Sequence, residues 1–336
     1  MAAVAGMGEP TPAIAGFWRR LAAFLVDVLI VSAALLILGF VLYGWTSSLG
    51  QAGRAIGLAA ALLYFGLLDS RVAGGGSPGK RLLGLRVVDR SGAPLSPIRA
   101  AFRCLVALAP WFVNGLWLGP GGPLAGLLGA LQALLLFGLG GALLYLILFN
   151  RRTRQSVQDL ATDSFVVRAA EDRAPIALRI APLHLRISGL WILLLLIGGS
   201  AAALWPADPA AAARSKPLGE LHAALAAELG AGPVGVRLVT TTLTSPLSGS
   251  SSTSYLEVTV FRTRPDPRPD GVVILAAAGI VLRQAPDLLG RPLLSVQTVR
   301  GFDLGLAWWR IAYRGVYDAA EWRKLLLQFP GTTRSS

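Results

Sequence analysis

Two arginines and an aspartate mark the first long apolar stretch of the chain. Arg19 and Arg20 stand at the mouth of residues 21–43, and Asp27 lies one to two turns inside. The stretch is long enough to cross a bilayer as a helix. Arg20 and Asp27 are seven positions apart. At about 100° per residue they return to nearly the same helix face, about 10 Å apart along the axis. A carboxylate in a spanning helix costs roughly 2.5–3.5 kcal/mol on insertion scales, so Asp27 is expected to face protein or water and to have a partner. Buried membrane carboxylates commonly carry protons and cations. The plainer alternative is an ion pair that only fixes helix packing. A second acid, Asp159, follows the basic run Arg151–Arg154, with Arg99 and Arg103 as candidate partners.

Other spacings are weaker. Gly74 to Lys80 fits GxxxxGK, but Arg81 stands where Ser or Thr should hold Mg²⁺, and no flanking strand and helix are evident. Ser77 and Lys80 spell SxxK, yet Pro78 and Gly79 between them argue against the helical surroundings that a nucleophilic serine needs. His184 and His222 lack metal-spaced partners, and the single Cys104 excludes an intrachain disulfide and reads as a packing residue. No enzyme activity, metal or cofactor is expected. The loop carrying Lys80, Arg81, Arg99 and Arg103 reads as a cytoplasmic, topogenic segment. It would also attract anionic lipid headgroups at about 1 kcal/mol per charge.

These residues need a membrane scaffold, and the composition supplies one. The 336 residues are 54% hydrophobic and 15% charged, with a mean hydropathy of +0.60. The net charge of +13 clusters beside apolar blocks, without the interleaved aromatics of a nucleic-acid surface. Apolar segments occur at 21–43, 55–68, 104–118, 124–149 and 187–205. Gly53, Gly57 and Ala61 form a small-residue row suited to close helix packing. Asn114 and Gln132 read as interhelical hydrogen-bond partners, and residues 120–123 (PGGP) as a tight turn. The fold class expected is an α-helical integral membrane domain, four helices plus a fifth span, followed by a small soluble α+β domain. Its parts are a disordered tail (1–16), a membrane domain (17–168), a cytoplasmic linker (169–186), the fifth helix (187–205) and an extracytoplasmic domain (206–336). The positive-inside rule puts the N-terminus in the cytoplasm. Abundant Ala, Arg, Gly and Leu point to a GC-rich bacterial genome.

In the last part, 218–229 reads as an amphipathic helix, and 236–243, 255–262, 294–299 and 307–313 as strands. Residues 245–254 read as a Ser/Gly/Thr loop, 272–282 as a buried strand or core helix, and 317–329 as a helix carrying Trp322.

Four features together resemble one family. They are Arg20…Asp27, Gly76-Ser-Pro-Gly-Lys80-Arg-Leu-Leu-Gly84-Leu-Arg86-Val-Val, Arg99 with Arg103, and Gln158-Asp159 running into Val166-Val167. The chain from about 17 to 167 resembles the RDD family of bacterial membrane proteins, named for one arginine and two aspartates. By position these are Arg20, Asp27 and Asp159, with Asp69 as an alternative for the second aspartate. Ser164 stands where the family usually has Thr. The resemblance implies no more about activity than an involvement in transport. The first expectation is therefore a transporter of a small ion or solute, working through the Arg20/Asp27 site with Asp159. The alternative is an accessory or scaffold protein, alone or as a homo-oligomer, whose outer domain binds a partner or envelope component through Trp308, Trp309, Tyr313 and Trp322. Those aromatics would otherwise fill the domain core.

Overall fold

The computed structural model describes residues 14–116, 123–170, 175–204, 209–230, 232–245, 249–263, 267–289 and 293–329. The expected PGGP turn and most of the expected N-terminal tail lie outside them. The chain forms two compact units. The first comprises Met1–Ile37, Arg54–Trp205 and Leu304–Ala307, and the second Leu38–Gly53, Pro206–Asp303 and Trp308–Ser336.

The chain opens with α1 (Phe17–Val41), α2 (Tyr43–Ser48), α3 (Arg54–Leu68), α4 (Pro78–Leu82), β1 (Leu85–Asp89) and α5 (Pro97–Val113). Then come α6 (Pro123–Ala133), α7 (Gly140–Phe149), α8 (Val157–Ala161), β2 (Ser164–Arg168) and α9 (Pro182–Leu204). A π-helical stretch, Leu134–Leu139, joins α6 to α7. Among the described residues, three helices are long and apolar enough to cross a membrane: Phe17–Val41, Gly50–Leu68 and Gly126–Phe149. The first unit is thus a helical membrane domain. The third expected span corresponds to α5, whose 17 residues run from Pro97, after the Ser96 cap, to Val113, before the Asn114 cap. Gln132 donates from Nε2 to the carbonyls of Val113 and Leu116, satisfying acceptors at the end of α5. The fifth corresponds to α9, which starts at Pro182, so the last residues of the expected linker are helical.

β1 and β2 pair antiparallel, Leu85 opposite Arg168 and Asp89 opposite Ser164. Leu85, Val87, Val88, Phe165, Val166 and Val167 are all buried. The free edge of β2 takes a further partner: Ile14 bridges Val167, and the Ala15 N–H donates to the Val166 carbonyl. The expected tail therefore gives way at Ile14, where an open strand edge recruits the chain. Ile176 donates to the Arg90 carbonyl, and the Arg90 guanidinium binds the carbonyls of Ile176 and Leu178, so this part of the linker is docked.

The second unit adds α10 (Pro209–Leu229), β3 (Val234–Ser245), β4 (Gly249–Phe261), α11 (Asp270–Gln284), β5 (Leu293–Asp303), β6 (Trp308–Tyr317) and α12 (Ala319–Gln328). The sheet order is β3-β4-β5-β6. β4 and β5 are parallel, as a crossover through α11 requires, and the outer pairs are antiparallel. Alternation puts Leu256, Val258, Val260, Leu294 and Val296 on one face, against Leu221, Leu225, Val273, Ala277 and Trp322. The expected 245–254 loop is shorter than its composition suggests. Thr and Ser side chains pair well across strands, and Ser245 still pairs with Gly249.

Trp322 is the largest fully buried side chain of this core, and its Nε1 donates to the Leu294 carbonyl at 3.0 Å. Trp322→Ala is expected to cost about 3–5 kcal/mol of unfolding free energy. Denaturant titration of the detergent-solubilised chain reads this directly, and a loss below about 1 kcal/mol would contradict the packing described.

Candidate functional site

Six charged side chains in the first unit form one alternating series. It begins with Arg20 in the first turn of α1, whose Nη2 lies 2.5 Å from Asp159 Oδ2. Asp159 sits at the third position of α8, where its carboxylate also accepts the Ser156 N–H in a capping box. Arg103, from α5, reaches Asp159 Oδ1 with Nε at 2.8 Å and Nη2 at 2.6 Å. Its Nη1 lies 3.6 Å from Asp69 Oδ2. Asp69, just past α3, is 2.8 Å from Lys80 Nζ, which lies 3.6 Å from Asp27 Oδ2. The order is Arg20–Asp159–Arg103–Asp69–Lys80–Asp27. The three carboxylates are at most 1% exposed and Lys80 is 7% exposed.

Asp27 receives more than an ammonium. Its Oδ1 accepts from the Gly79 N–H at 2.8 Å and from Tyr64 Oη at 2.9 Å, and its Oδ2 accepts from Ser77 Oγ at 2.5 Å. Glycine at 79 permits this approach. A Cβ there would come within 2.2 Å of the Ala23 carbonyl and 3.0 Å of the Asp27 carboxyl. Ser77 is the extended cap before Pro78, so the chain enters α4 with its N–H groups turned to the acids. The Ser77 N–H itself donates to Asp69 Oδ1 at 3.2 Å.

The spacing of Arg20 and Asp27 suggests a direct pair. They instead hold opposite ends of the series, because Asp159 and Lys80 come to them from distant segments. Lys80 and Arg103 belong to the series, whereas Arg81 and Arg99 do not. Arg81 donates to the Ala73 carbonyl, and Arg99 to the Thr162 carbonyl. Tyr64 is the residue that sequence reasoning missed, while Asp69 enters the sequence reading only as an alternative second aspartate and Ser77 only as the serine of SxxK. The signal for Asp69 is its place at the end of an apolar stretch, where an acid that is buried and one that snorkels to the interface share the same sequence setting. The SxxK serine and lysine do meet, Lys80 Nζ to Ser77 Oγ at 3.0 Å, in a short helix that the sequence does not suggest. Ser77 is fully buried and its hydroxyl is committed to Asp27. Lys80 is likewise committed to carboxylates, which leaves the GxxxxGK loop without a lysine for a phosphate. Among the described residues, no group of three or more His, Cys, Asp and Glu side chains is placed to hold a metal ion.

Burial alone would raise the Asp159 pKa, but Arg103 and Arg20, by charge and by hydrogen bond, outweigh it and hold the carboxyl below the usual range. Stability from this site is thus present above the unfolded-state value, near pH 4, and lost as pH falls through the depressed native value. Asp159→Asn leaves two arginines facing a neutral amide and is expected to cost about 3–5 kcal/mol at neutral pH. Detergent melting curves from pH 7 down to pH 3 should show a steeper acid loss in the wild type than in the variant. Parallel curves would contradict the pairing.

Residues 14–163 match the RDD family, so the match spans every member of the series. An uncharacterised protein of Bacillus subtilis strain 168, YckC, is 25% identical over 155 residues, which is 46% of this chain and 85% of that protein. No solved structure matches the chain. The match, together with the alternating arginine–aspartate series and the apolar helices around it, identifies residues 14–163 as an RDD family domain of a membrane protein.

Proposed function

We propose that the RDD domain transports a small monovalent cation or a proton, with Asp27, Lys80 and Asp69 as the exchange point. The observation that carries this reading is the ammonium of Lys80 held between two buried carboxylates, 2.8 Å from one and 3.6 Å from the other. An ammonium in that position marks where a monovalent cation would be stable. Lys80 is firm on Asp69 and loose on Asp27, so a cation entering beside Asp27 competes with it directly. Displacing the ammonium or removing its proton exposes two negative charges to a single incoming ion, which couples the two events. Arg20, Arg103 and Asp159 then act as a fixed counter-charge behind the exchange point.

The membrane arrangement that goes with this reading is multi-pass, in the inner membrane of a bacterium. Arg19, Arg20, the loop with Lys80 to Arg103, and Arg151–Arg154 face the cytoplasm. The second unit is extracytoplasmic. Phe40 and Tyr43, at the far end of the first apolar stretch from Arg20, pack edge to face against Phe302 and Trp309 within that unit, which supports this sidedness.

A scaffold function is the second reading, favoured by one observation: every carboxylate oxygen of the series has a donor or a cation within reach, as a purely structural latch would require. Trp308, 62% exposed, and Tyr313, 48% exposed, would then offer a partner surface, while Trp322 fills the core. Proteoliposomes separate the two. Under transport, an imposed Na⁺ or K⁺ gradient drives proton movement in the wild type, and Asp27→Asn, with its melting temperature retained, falls to the level of protein-free vesicles. A folded wild type that moves no protons with any alkali cation, or an Asp27→Asn variant with full flux, would sink the transport reading in favour of the scaffold.

A further inference from the structure

Lys80 and Arg103, which the sequence offers to lipid headgroups, are turned inward onto carboxylates, so any anion-binding role falls to other cations. Four arginines outside the buried series converge on one cavity. It has a volume of about 510 Å³, and Trp18, Arg19, Leu148, Arg151, Arg154 and Arg168 are among its lining residues. They come from the first turn of α1, the last turn of α7, the loop after it, and the end of β2. Among the described residues, no acidic side chain lines the cavity and none of the four arginines is ion-paired. Elsewhere in this unit, acids answer the arginines at 20, 90, 99 and 103.

The loop that presents two of these arginines is built, not slack. Asn150, 1% exposed, donates from Nδ2 to Thr153 Oγ1 at 2.7 Å and to the Gln155 carbonyl at 2.9 Å. Arg154 is held in the left-handed region at φ 51°, and its carbonyl accepts from Arg20, which directs the backbone inward. Four guanidinium groups around one cavity repel each other unless an anion joins them, and guanidinium binds phosphate through paired N–H donors. The lining is also apolar in part, with Trp18 and Leu148 at the ends of two helices that are long and apolar enough to span a membrane. Trp18 is 76% exposed and Leu148 51% exposed. A phosphate with hydrocarbon attached satisfies both the basic and the apolar lining, whereas a free phosphate satisfies only the basic part.

We propose that this cavity is a binding site for the phosphate headgroup of an anionic phospholipid, with the acyl chains running along the apolar surfaces of α1 and α7. It stands apart from ion exchange at Asp27 and does not depend on it. The test is native mass spectrometry of the full chain in detergent, with phosphatidylglycerol or phosphatidylcholine added. Phosphatidylglycerol should be retained in preference to phosphatidylcholine. The double variant Arg151→Gln, Arg168→Gln, which touches no member of the buried series, should weaken its retention by about thirty-fold, from about a factor of five for each charge removed. The charge-preserving pair Arg151→Lys, Arg168→Lys should keep most of it, which separates lost charge from lost folding. Equal retention of the two lipids, or phosphatidylglycerol binding unaffected by the Gln pair, would overturn the proposal. So would inorganic phosphate displacing the lipid at equal concentration, because the ligand would then be a soluble phosphate.

Discussion

An ion taken out of water must find its counter-charge inside the protein. The first unit meets that requirement with one series of three acids and three bases. An unpaired carboxylate at Asp27, Asp69 or Asp159 would be untenable in surroundings this apolar, so each has recruited a cation from a different part of the chain. The recruitment shapes the backbone. The loop from Ser70 to Ser77 folds back so that Ser77, Gly79 and Lys80 meet Asp27 and Asp69. The capping box at Ser156 presents Asp159 to two arginines at once. Sharing matters more than any single contact. Arg103 touches two acids and Lys80 touches two, so a change at one position alters the balance at the next.

The second unit is held together by different means. Its core is apolar, its one fully buried indole satisfies its N–H on a strand carbonyl, and its sheet follows the ordinary alternation of inward and outward residues. Its outward face carries a polar cluster in which Glu257, 2% exposed, accepts from Arg237, Gln297 and Thr259. That cluster shields one acid on the polar face of the sheet.

Much of this was legible from residue types. The apolar blocks gave the helices, the alternating runs gave the strands, and Arg20, Asp27 and Asp159 stood out as charges in or beside apolar segments. Three things were not legible, for physical reasons. Helical spacing describes neighbours on one helix only, so the i,i+7 relation of Arg20 and Asp27 could not reveal that each prefers a partner from elsewhere. Asp69 could not be told from an end group at an interface, because a snorkelling and a buried carboxylate have the same sequence setting. The Ser/Thr-rich stretch near 245–254 reads as a loop by composition, yet hydroxyl-bearing residues also pair well across strands, as Thr240 and Ser254 do.

The span of the buried series along the chain sets the order of assembly. Arg20 and Asp159 are 139 residues apart. At roughly 5–20 residues per second of synthesis, between about 7 and 28 s separate the appearance of the first charge from that of its partner. Throughout that interval Arg20 lacks its acid, whereas Lys80, the cation beside Asp27, is made well before Asp159 exists to receive Arg20. The series therefore closes from its Asp27 end, and its last link forms only when the second aspartate of the family signature leaves the ribosome. A chain that stops short of residue 159 is left with Arg20 and Arg103 lacking that acid, so the final ion pair distinguishes a completed domain from an unfinished one.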